Sequence, residues 1–287
     1  MKKHKICKIL LVILAIFLCV VFYELLGICV AYKKQPEVSN TTKKETKNGS
    51  WNECSENTER AVIIEKNPEA LLQRVRLIKN AKKEIILSTF AFQSDESGKL
   101  ILGALHDAAD RGVHIRLLVD GMESWIDMEG NPYFYGLSSH ENVEIKLYNK
   151  ANPLKPWKMM GRMHDKYLIA DGKRYILGGR NTYNYFLGDF PGHKNYDRDV
   201  LVVCDEPEKE NSVNQLSEYF ETIWNQEDSG YFHNNKKLAN RKSVKNAVLE
   251  LQNSYQKYFE ENKERICETD YTDETFETEK ITLVSNP

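Results

Sequence analysis

A histidine and a lysine two residues apart are the side chains of this sequence best suited to chemistry. His164 and Lys166 lie at the start of the stretch MHDKYLIADGKRYILGGRN, which continues through Asp171 and Gly179 to Asn181. A histidine can attack phosphorus as a nucleophile or protonate a departing alkoxide. A lysine and an asparagine beside it can donate to the phosphoryl oxygens, where negative charge must be stabilised. These residue types therefore predict phosphodiester chemistry. A surface hairpin with a chance His-x-Lys pair is the alternative, but it leaves the rest of the pattern unexplained.

The stretch is predicted to fold as a β-hairpin. Its Asp-Gly pair is a two-residue turn signal between the apolar runs YLIA and KRYILGG. A tight turn would pair Lys166 with Leu177 and His164 with Gly179, and directly opposed residues share one face of a sheet. We therefore expect His164, Lys166, Gly179 and Asn181 to line one surface, where the glycine leaves room beside the histidine.

The pattern HDKYLIAD followed by GGRN resembles the HKD motif of the phospholipase D superfamily. With the continuation TYNYF it is most similar to bacterial cardiolipin synthases and related membrane phospholipases D, over roughly residues 60–225. The resemblance implies a covalent phosphohistidine intermediate, no metal or other cofactor, and two HKD motifs facing each other across one active site. This sequence contains one such motif.

The resemblance also implies roles for individual residues. We expect His164, Lys166 and Asp171 to be catalytic, with Asp171 holding the turn and, through its charge, Lys166. Asn181 and Gly179 are expected at the substrate phosphate. The superfamily has an acidic residue downstream of the motif, and Asp199 is the candidate to hydrogen-bond His164 and fix its tautomer.

Two further polar residues have structural explanations. Asp95 precedes a predicted helix, so it is a candidate N-cap as well as a candidate site residue. Arg180 would lie on the opposite face from Asn181 in a regular strand, and we do not assign it to catalysis.

Residues 1–32 are predicted to be a short cytoplasmic lysine-rich end and a transmembrane anchor. Residues 9–32 are apolar apart from Glu24, and about 20 apolar residues span a bilayer as a helix. Lysines before the span favour a cytoplasmic N-terminus. We therefore expect a single-pass protein of the cell membrane with its catalytic domain outside the cytoplasm. A cleaved signal peptide is the alternative.

Residues 33–59 are polar and are predicted to be a linker. Taking the four lysines and one glutamate of residues 1–32 from the totals of 40 basic and 42 acidic residues leaves 36 and 41, a net charge of −5. Nonspecific nucleic-acid binders usually have a basic domain, so no nucleic-acid partner is expected. By resemblance, the expected substrate is a phospholipid in the membrane, in particular phosphatidylglycerol.

The remaining pattern predicts an α/β sandwich, with a mixed sheet flanked by helices. Strands are predicted at 61–64, 84–92, 114–120, 143–148 and 200–203, separated by helical segments. Strand–helix–strand repetition at this spacing favours parallel neighbours. We assign residues 60–228 to a catalytic half-domain and residues 229–287 to a helical, acidic extension that resembles the connection to a missing second half.

The sequence is thus interpreted as a membrane-anchored phospholipase D-type phosphodiesterase or phosphatidyltransferase. Its second histidine is expected from another chain, either a homodimer mate or a separate HKD-bearing partner. Two alternatives differ in class. One is a non-catalytic half-domain that serves as an interaction module, and the other is a homodimeric single-motif nuclease.

Overall fold

The computed structural model describes residues 2–33, 43, 59–158, 160–207, 211–233, 235–279 and 281–284. Most of the predicted linker lies outside these residues. The chain forms two compact units, Met1–Asn48 with Ala151–Arg162, and Gly49–Lys150 with Met163–Pro287. The first unit contains the apolar N-terminal segment and the second contains the predicted catalytic residues.

The first unit contains the long helix α1 (Lys2–Lys33). Its section His4–Lys33 is 30 residues long with a mean hydropathy of 3.0, enough to cross a bilayer. A membrane anchor and a signal sequence both fit these properties. Near its end the helix packs on the segment 151–162 of the same unit, where the Tyr23 hydroxyl donates to the Leu154 carbonyl over 2.9 Å.

The second unit is built on one mixed sheet, which confirms the predicted α/β class. Its nine described strands are β1 (Arg60–Ile64), β2 (Glu84–Thr89), β3 (His114–Asp120), β4 (Val143–Tyr148), β5 (Tyr167–Ala170), β6 (Arg174–Gly178), β7 (Asp199–Val203), β8 (Ser229–Tyr231) and β9 (Phe276–Glu277). Their order across the sheet is β8-β4-β3-β2-β5-β6-β7-β1-β9. Strands β2, β3 and β4 are parallel neighbours, as predicted, and the other pairs are antiparallel.

Helices cover both faces of this sheet. They are α2 (Asn67–Asn80), α3 (Glu96–Asp110), α4 (Gly121–Asp127), α5 (Pro132–Ser138), α6 (Ser212–Trp224), α7 (Lys242–Glu261) and α8 (Lys263–Cys267). The larger core packs α2, α3, α5, α7 and α8 on one face. The smaller core packs α6 on the other, through side chains such as Leu216 and Phe220. In the central strands, such as β2 with Ile85 and Leu87 in one core and Ile86 in the other, alternate residues therefore point into different cores.

Asp95 is the N-cap of α3, which confirms one of its two sequence interpretations. Its Oδ1 accepts from the Gly98 amide over 3.0 Å, the bond expected of a capping aspartate. Its Oδ2 accepts from the Asn184 amide over 2.7 Å. The cap therefore also holds the chain that follows the GGRN sequence.

The described residues between 229 and 284 include two strands that pair with the sheet and a helix that packs on it. Strand β8 pairs with β4, and β9 pairs with β1 at the opposite edge. Helix α7 buries Leu251, Tyr255 and Phe259 at the spacing of one helical face. It lies so close to α3 that a side chain at Gly103 would collide with the Leu251 carbonyl. The described part of this segment thus contributes to the larger core.

Candidate active site

The predicted motif lies at the end of the sheet where the parallel strands have their carboxyl ends. We call this the site edge of the sheet, as distinct from the lateral edges formed by β8 and β9. β2 and β3 end at Thr89 and Asp120, and β5 begins here because Tyr167 pairs with Ser88. β7 also begins at this edge, since Asp199 pairs with Gly178 at the end of β6. The carboxyl ends of parallel strands are where α/β proteins form their clefts.

The hairpin turn forms as predicted, but the predicted register is wrong by one residue. Asp171 and Gly172 have φ of 55° and 62°, as a type I′ turn requires. Lys173 is an extra residue, because its carbonyl accepts from Cys204 beyond β7, and the ladder resumes with Ala170 opposite Arg174. His164 therefore does not lie opposite Gly179.

Lys166 and His164 lie just before β5, where both contact Phe90. The His164 ring is exposed and packs edge-on to the Phe90 ring, with 4.6 Å between centroids. Lys166 is 7% exposed, and its Nζ lies 5.4 Å from the centre of the same ring. That Nζ also donates to the His164 carbonyl over 2.7 Å. The imidazole is thus accessible, and the ammonium is held beside it.

Asn181 is tied to the same short segment. Its Oδ1 accepts from the amide of Ala91, which directly follows Phe90, over 3.2 Å. The next residue, Thr182, forms a parallel bridge with Phe92. Because the oxygen end of the amide faces Ala91, the NH₂ end is turned away from that bond. Phe90 and Ala91 therefore bring together His164, Lys166 and Asn181 as the sequence predicted, by a route it did not show.

Asp197 is a candidate site residue that the sequence interpretation missed. A Cβ at Gly179 would collide with the Asp197 carboxylate, so the glycine makes room for this acid and not for the histidine. Burial lowers the pKa of Lys166, while the charges of Asp165 and Asp197 act to raise it. The sequence YDRDVLVV contained a signal for this residue. Asp197 and Asp199 are two positions apart, the spacing at which side chains of an extended chain point to the same face.

Asp199 is not at the histidine, which corrects its predicted role. Its side chain is fully buried, with Oδ2 at 2.9 Å from Arg74 Nη1 and 3.2 Å from Arg180 Nη1. Arg180 also donates to Asn67 Oδ1 and to the Ile64 carbonyl, each over 3.1 Å. The acid therefore joins α2 to the start of β7, and Arg180 is structural, as expected.

Asp171 is also placed away from the other candidates. Its Oδ1 accepts from the backbone amides of Lys83 and Glu84 over 2.7 and 3.1 Å, and its Oδ2 accepts from Lys82 over 2.9 Å. β5 separates it from Lys166, whose acidic neighbours are Asp165 and Asp197. Asp171 does hold the turn, as predicted, but it does so by capping the start of β2.

Two carboxylates fix the backbone around His164. Asp120 accepts from the Met163 amide over 3.1 Å with Oδ2, and from the Met122 amide over 3.0 Å with Oδ1. Asp165 accepts from the Tyr219 hydroxyl of α6 over 2.8 Å, and burial raises the pKa of this carboxyl. The residues on either side of His164 are thus anchored to the sheet and to a helix.

Within the part of the chain that the structure describes, no group of three or more His, Cys, Asp or Glu side chains is arranged to hold a metal ion. The ammonium of Lys166, bonded to the His164 carbonyl, places a positive charge beside that residue.

A family model and a sequence relative of this chain carry the same description, cardiolipin synthase. A family model described as "Cardiolipin synthase, PLD-like domain" matches residues 74–224. An uncharacterized protein of Helicobacter pylori strain J99 is 30% identical over 212 residues, which cover 69% of this chain and 39% of that protein. Cardiolipin synthase C of Escherichia coli K12 is 30% identical over 154 residues, 49% of this chain and 31% of that protein.

The chain spans less than half the length of these curated relatives. Among solved structures, NucT from Helicobacter pylori superposes with a TM-score of 0.48 at 18% identity, covering 61% of this chain and 99% of that structure.

Proposed function

Since the chain belongs to the phospholipase D superfamily, in its cardiolipin synthase-like domain family, we propose that it cleaves phosphodiesters with His164 as the nucleophile. The convergence of an exposed imidazole, a buried ammonium and an amide on Phe90 and Ala91 supports this most directly. An exposed imidazole is open to substrate, and a buried ammonium stabilises charge more strongly than one in water.

The proposed reaction has two steps. A nitrogen of His164 forms a bond to phosphorus, the bond from phosphorus to the leaving oxygen breaks, and a general acid gives that oxygen a proton. Water or an alcohol then attacks the same phosphorus, the phosphorus–nitrogen bond breaks, and the attacking group loses its proton to the general base. Lys166 and the NH₂ group of Asn181 hold the phosphoryl oxygens in both steps.

Phospholipids are the proposed substrates, with phosphatidylglycerol as the first candidate. The family description and the membrane-spanning potential of α1 support a lipid. With water as acceptor the reaction is hydrolysis, and with a second phosphatidylglycerol it is phosphatidyl transfer. The acidic balance of the chain beyond α1 favours lipid over nucleic acid as substrate.

We further propose that the general acid is a histidine of a second chain. The chain has one His-x-Lys pair. The other histidines of the second unit have partners elsewhere: His106 and His140 contact Asp110, His114 lies between Glu84 and Glu144, His233 contacts Glu129, and His193 packs on Tyr185. A homodimer mate and a separate HKD-bearing chain are the two proposed sources.

Turnover by the full chain in lipid vesicles tests the proposed activity. The substrates are labelled phosphatidylglycerol and bis(p-nitrophenyl) phosphate, a soluble phosphodiester. We expect His164→Ala to abolish turnover of both, while His193→Ala, the control, keeps it. Full turnover by His164→Ala would contradict the proposal. A labelled oligonucleotide, cleaved in place of the lipid, would instead support the nuclease alternative.

Mixing wild type with His164→Ala tests the second histidine. If a homodimer needs both imidazoles, the remaining activity of the mixture equals the square of the wild-type fraction. A separate partner predicts no activity until that partner is added. Full activity from a species that sediments as a monomer would contradict both versions.

A further inference from the structure

Exposed apolar side chains lie at the site edge of the sheet. Eight large hydrophobic residues of the second unit are exposed among the described residues, and three of them, Trp125, Ile126 and Tyr196, lie at this edge. Their exposed fractions are 65%, 67% and 78%. We call these three residues the apolar rim. Exposing them to water is unfavourable unless a partner covers them.

The same carboxylate fixes the apolar rim and the catalytic histidine. Asp120 caps α4 with Oδ1 and holds Met163, the residue before His164, with Oδ2. The inner side of α4 is closely packed, since a side chain at Gly121 would collide with the carbonyls of Tyr148 and Asn149. Trp125 and Ile126 therefore project from a helix that is rigidly connected to the motif.

Tyr196 is connected to the site from the other side. It directly precedes Asp197, the acid that occupies the space beside Gly179. It also lines a cavity of about 740 Å³ with Lys66, Lys194 and Arg198 among its walls. Tyrosine and tryptophan are the residues that favour membrane interfaces, because their rings are apolar and their edges are polar.

We propose that the apolar rim inserts into the interfacial layer of a lipid bilayer and brings His164 to the headgroup phosphates. This inference rests on the proposed lipid substrate. A bilayer is the chosen occupant because the same chain carries a candidate membrane-spanning helix of 30 residues and because the rim adjoins the site. The insertion is mainly apolar, since Glu123 and Asp127 of α4 are acidic and disfavour purely electrostatic attraction to anionic lipid.

Fluorescence of the full chain tests the insertion without requiring activity. The sequence has four tryptophans. Replacing Trp51 and Trp157 by Phe leaves Trp125 and the buried Trp224. In vesicles of phosphatidylglycerol and phosphatidylcholine, we expect lipids brominated near the top of the acyl chain to quench Trp125, and Trp125→Phe to remove the quenched component. Emission from Trp125 that stays water-like and unquenched would overturn the proposal.

Activity on two substrates gives the functional test. We expect Trp125→Ser with Ile126→Ser to lower turnover of vesicle phosphatidylglycerol about tenfold and to keep turnover of bis(p-nitrophenyl) phosphate within about twofold. The control is Leu249→Ser, which removes a leucine that is 57% exposed on α7, and it should change neither rate.

Two results would contradict docking to lipid. Equal loss on both substrates, with a loss of dimer in sedimentation, would make the rim an interface between copies of the chain. Unchanged turnover of vesicle lipid by the double variant would show that the rim is not used. If wild type turns over neither substrate, either alone or with an added HKD-bearing partner, the proposed function fails, and the quenching result still decides whether the rim inserts.

Discussion

The hydroxyl of Tyr219 donates a 2.8 Å hydrogen bond to Oδ2 of Asp165, the residue between His164 and Lys166. This bond ties α6 to the motif from the face opposite the larger core. Burial raises the pKa of Asp165, and the tyrosine counteracts that shift by stabilising the carboxylate. We therefore expect Tyr219 to act as a positioning residue through Asp165.

We predict that Tyr219→Phe lowers turnover of a soluble phosphodiester about tenfold, since a hydrogen bond to a charged group contributes about 1.5–3 kcal/mol. Tyr231→Phe is the matched control, because Tyr231 donates over the same 2.8 Å to the surface carboxylate of Glu144. Stopped-flow rates and melting temperatures of both variants make the comparison. Equal effects of the two substitutions on turnover would remove the positioning role.

Substitutions at Asp197 and Asp199 should have different effects, one on activity and the other on stability. Asp199→Asn leaves Arg74 and Arg180 buried without a full counter-charge, so we expect a loss of about 3 kcal/mol in unfolding free energy. Asp197→Asn should lower turnover at least tenfold with a melting temperature near that of wild type, because Asp197 is half-buried beside Lys166. Urea unfolding and turnover rates, measured on both proteins, check the pair. The reverse assignment, with Asp199→Asn stable and inactive, would restore the sequence-based interpretation.

Asp171→Ala is predicted to lower the stability of the fold and to leave the catalytic rate nearly unchanged. It leaves the amides of Lys82, Lys83 and Glu84 without their carboxylate acceptor, at a cost of about 1–3 kcal/mol. Below its melting transition the variant should keep most of its turnover. Denaturant midpoints compared with kcat at low temperature provide the measurement. Unchanged stability with lost activity would return Asp171 to the catalytic group.

The pH profile of kcat/KM should report the charge of Lys166 in its alkaline limb, the range where activity falls as pH rises. Burial lowers the pKa of this ammonium, so its charge is lost at lower pH than that of an ordinary lysine. We therefore predict that kcat/KM falls on the alkaline side with an apparent pKa below the usual lysine range. Asp197→Asn removes a charge that raises this pKa, so the limb should move to still lower pH. Lys166→Arg should remove the limb, since arginine does not titrate there. If wild type, Asp197→Asn and Lys166→Arg all show the same alkaline limb, the limb reports the titration of a group other than Lys166.

The elements of this fold could be predicted because they depend on local patterns. The cap at Asp95, the parallel strands β2 to β4 and the positive φ of Asp171 each follow from a few neighbouring residues. The hairpin register could not be predicted from the turn alone, because the extra residue Lys173 bonds to Cys204, which lies beyond the neighbouring strand.

The candidate site divides in the same way. His164, Lys166 and Asn181 were found from their types and spacing. Asp197 and Asp199 are the same residue type two positions apart, and their environments differ because Arg74 of α2 and Arg180 both contact Asp199. Contacts that are 125 residues apart in sequence cannot be read from local patterns.

Covalent labelling of His164 tests the central claim most directly. The full chain is incubated in vesicles with ³²P-labelled phosphatidylglycerol, quenched in alkaline detergent during turnover, and digested to locate the label. We predict label on the peptide that contains His164, its release by acid as expected for a phosphorus–nitrogen bond, its absence from His164→Ala, and its presence in His193→Ala. Turnover without label on that peptide, or label that persists in His164→Ala, would contradict a nucleophilic role for His164.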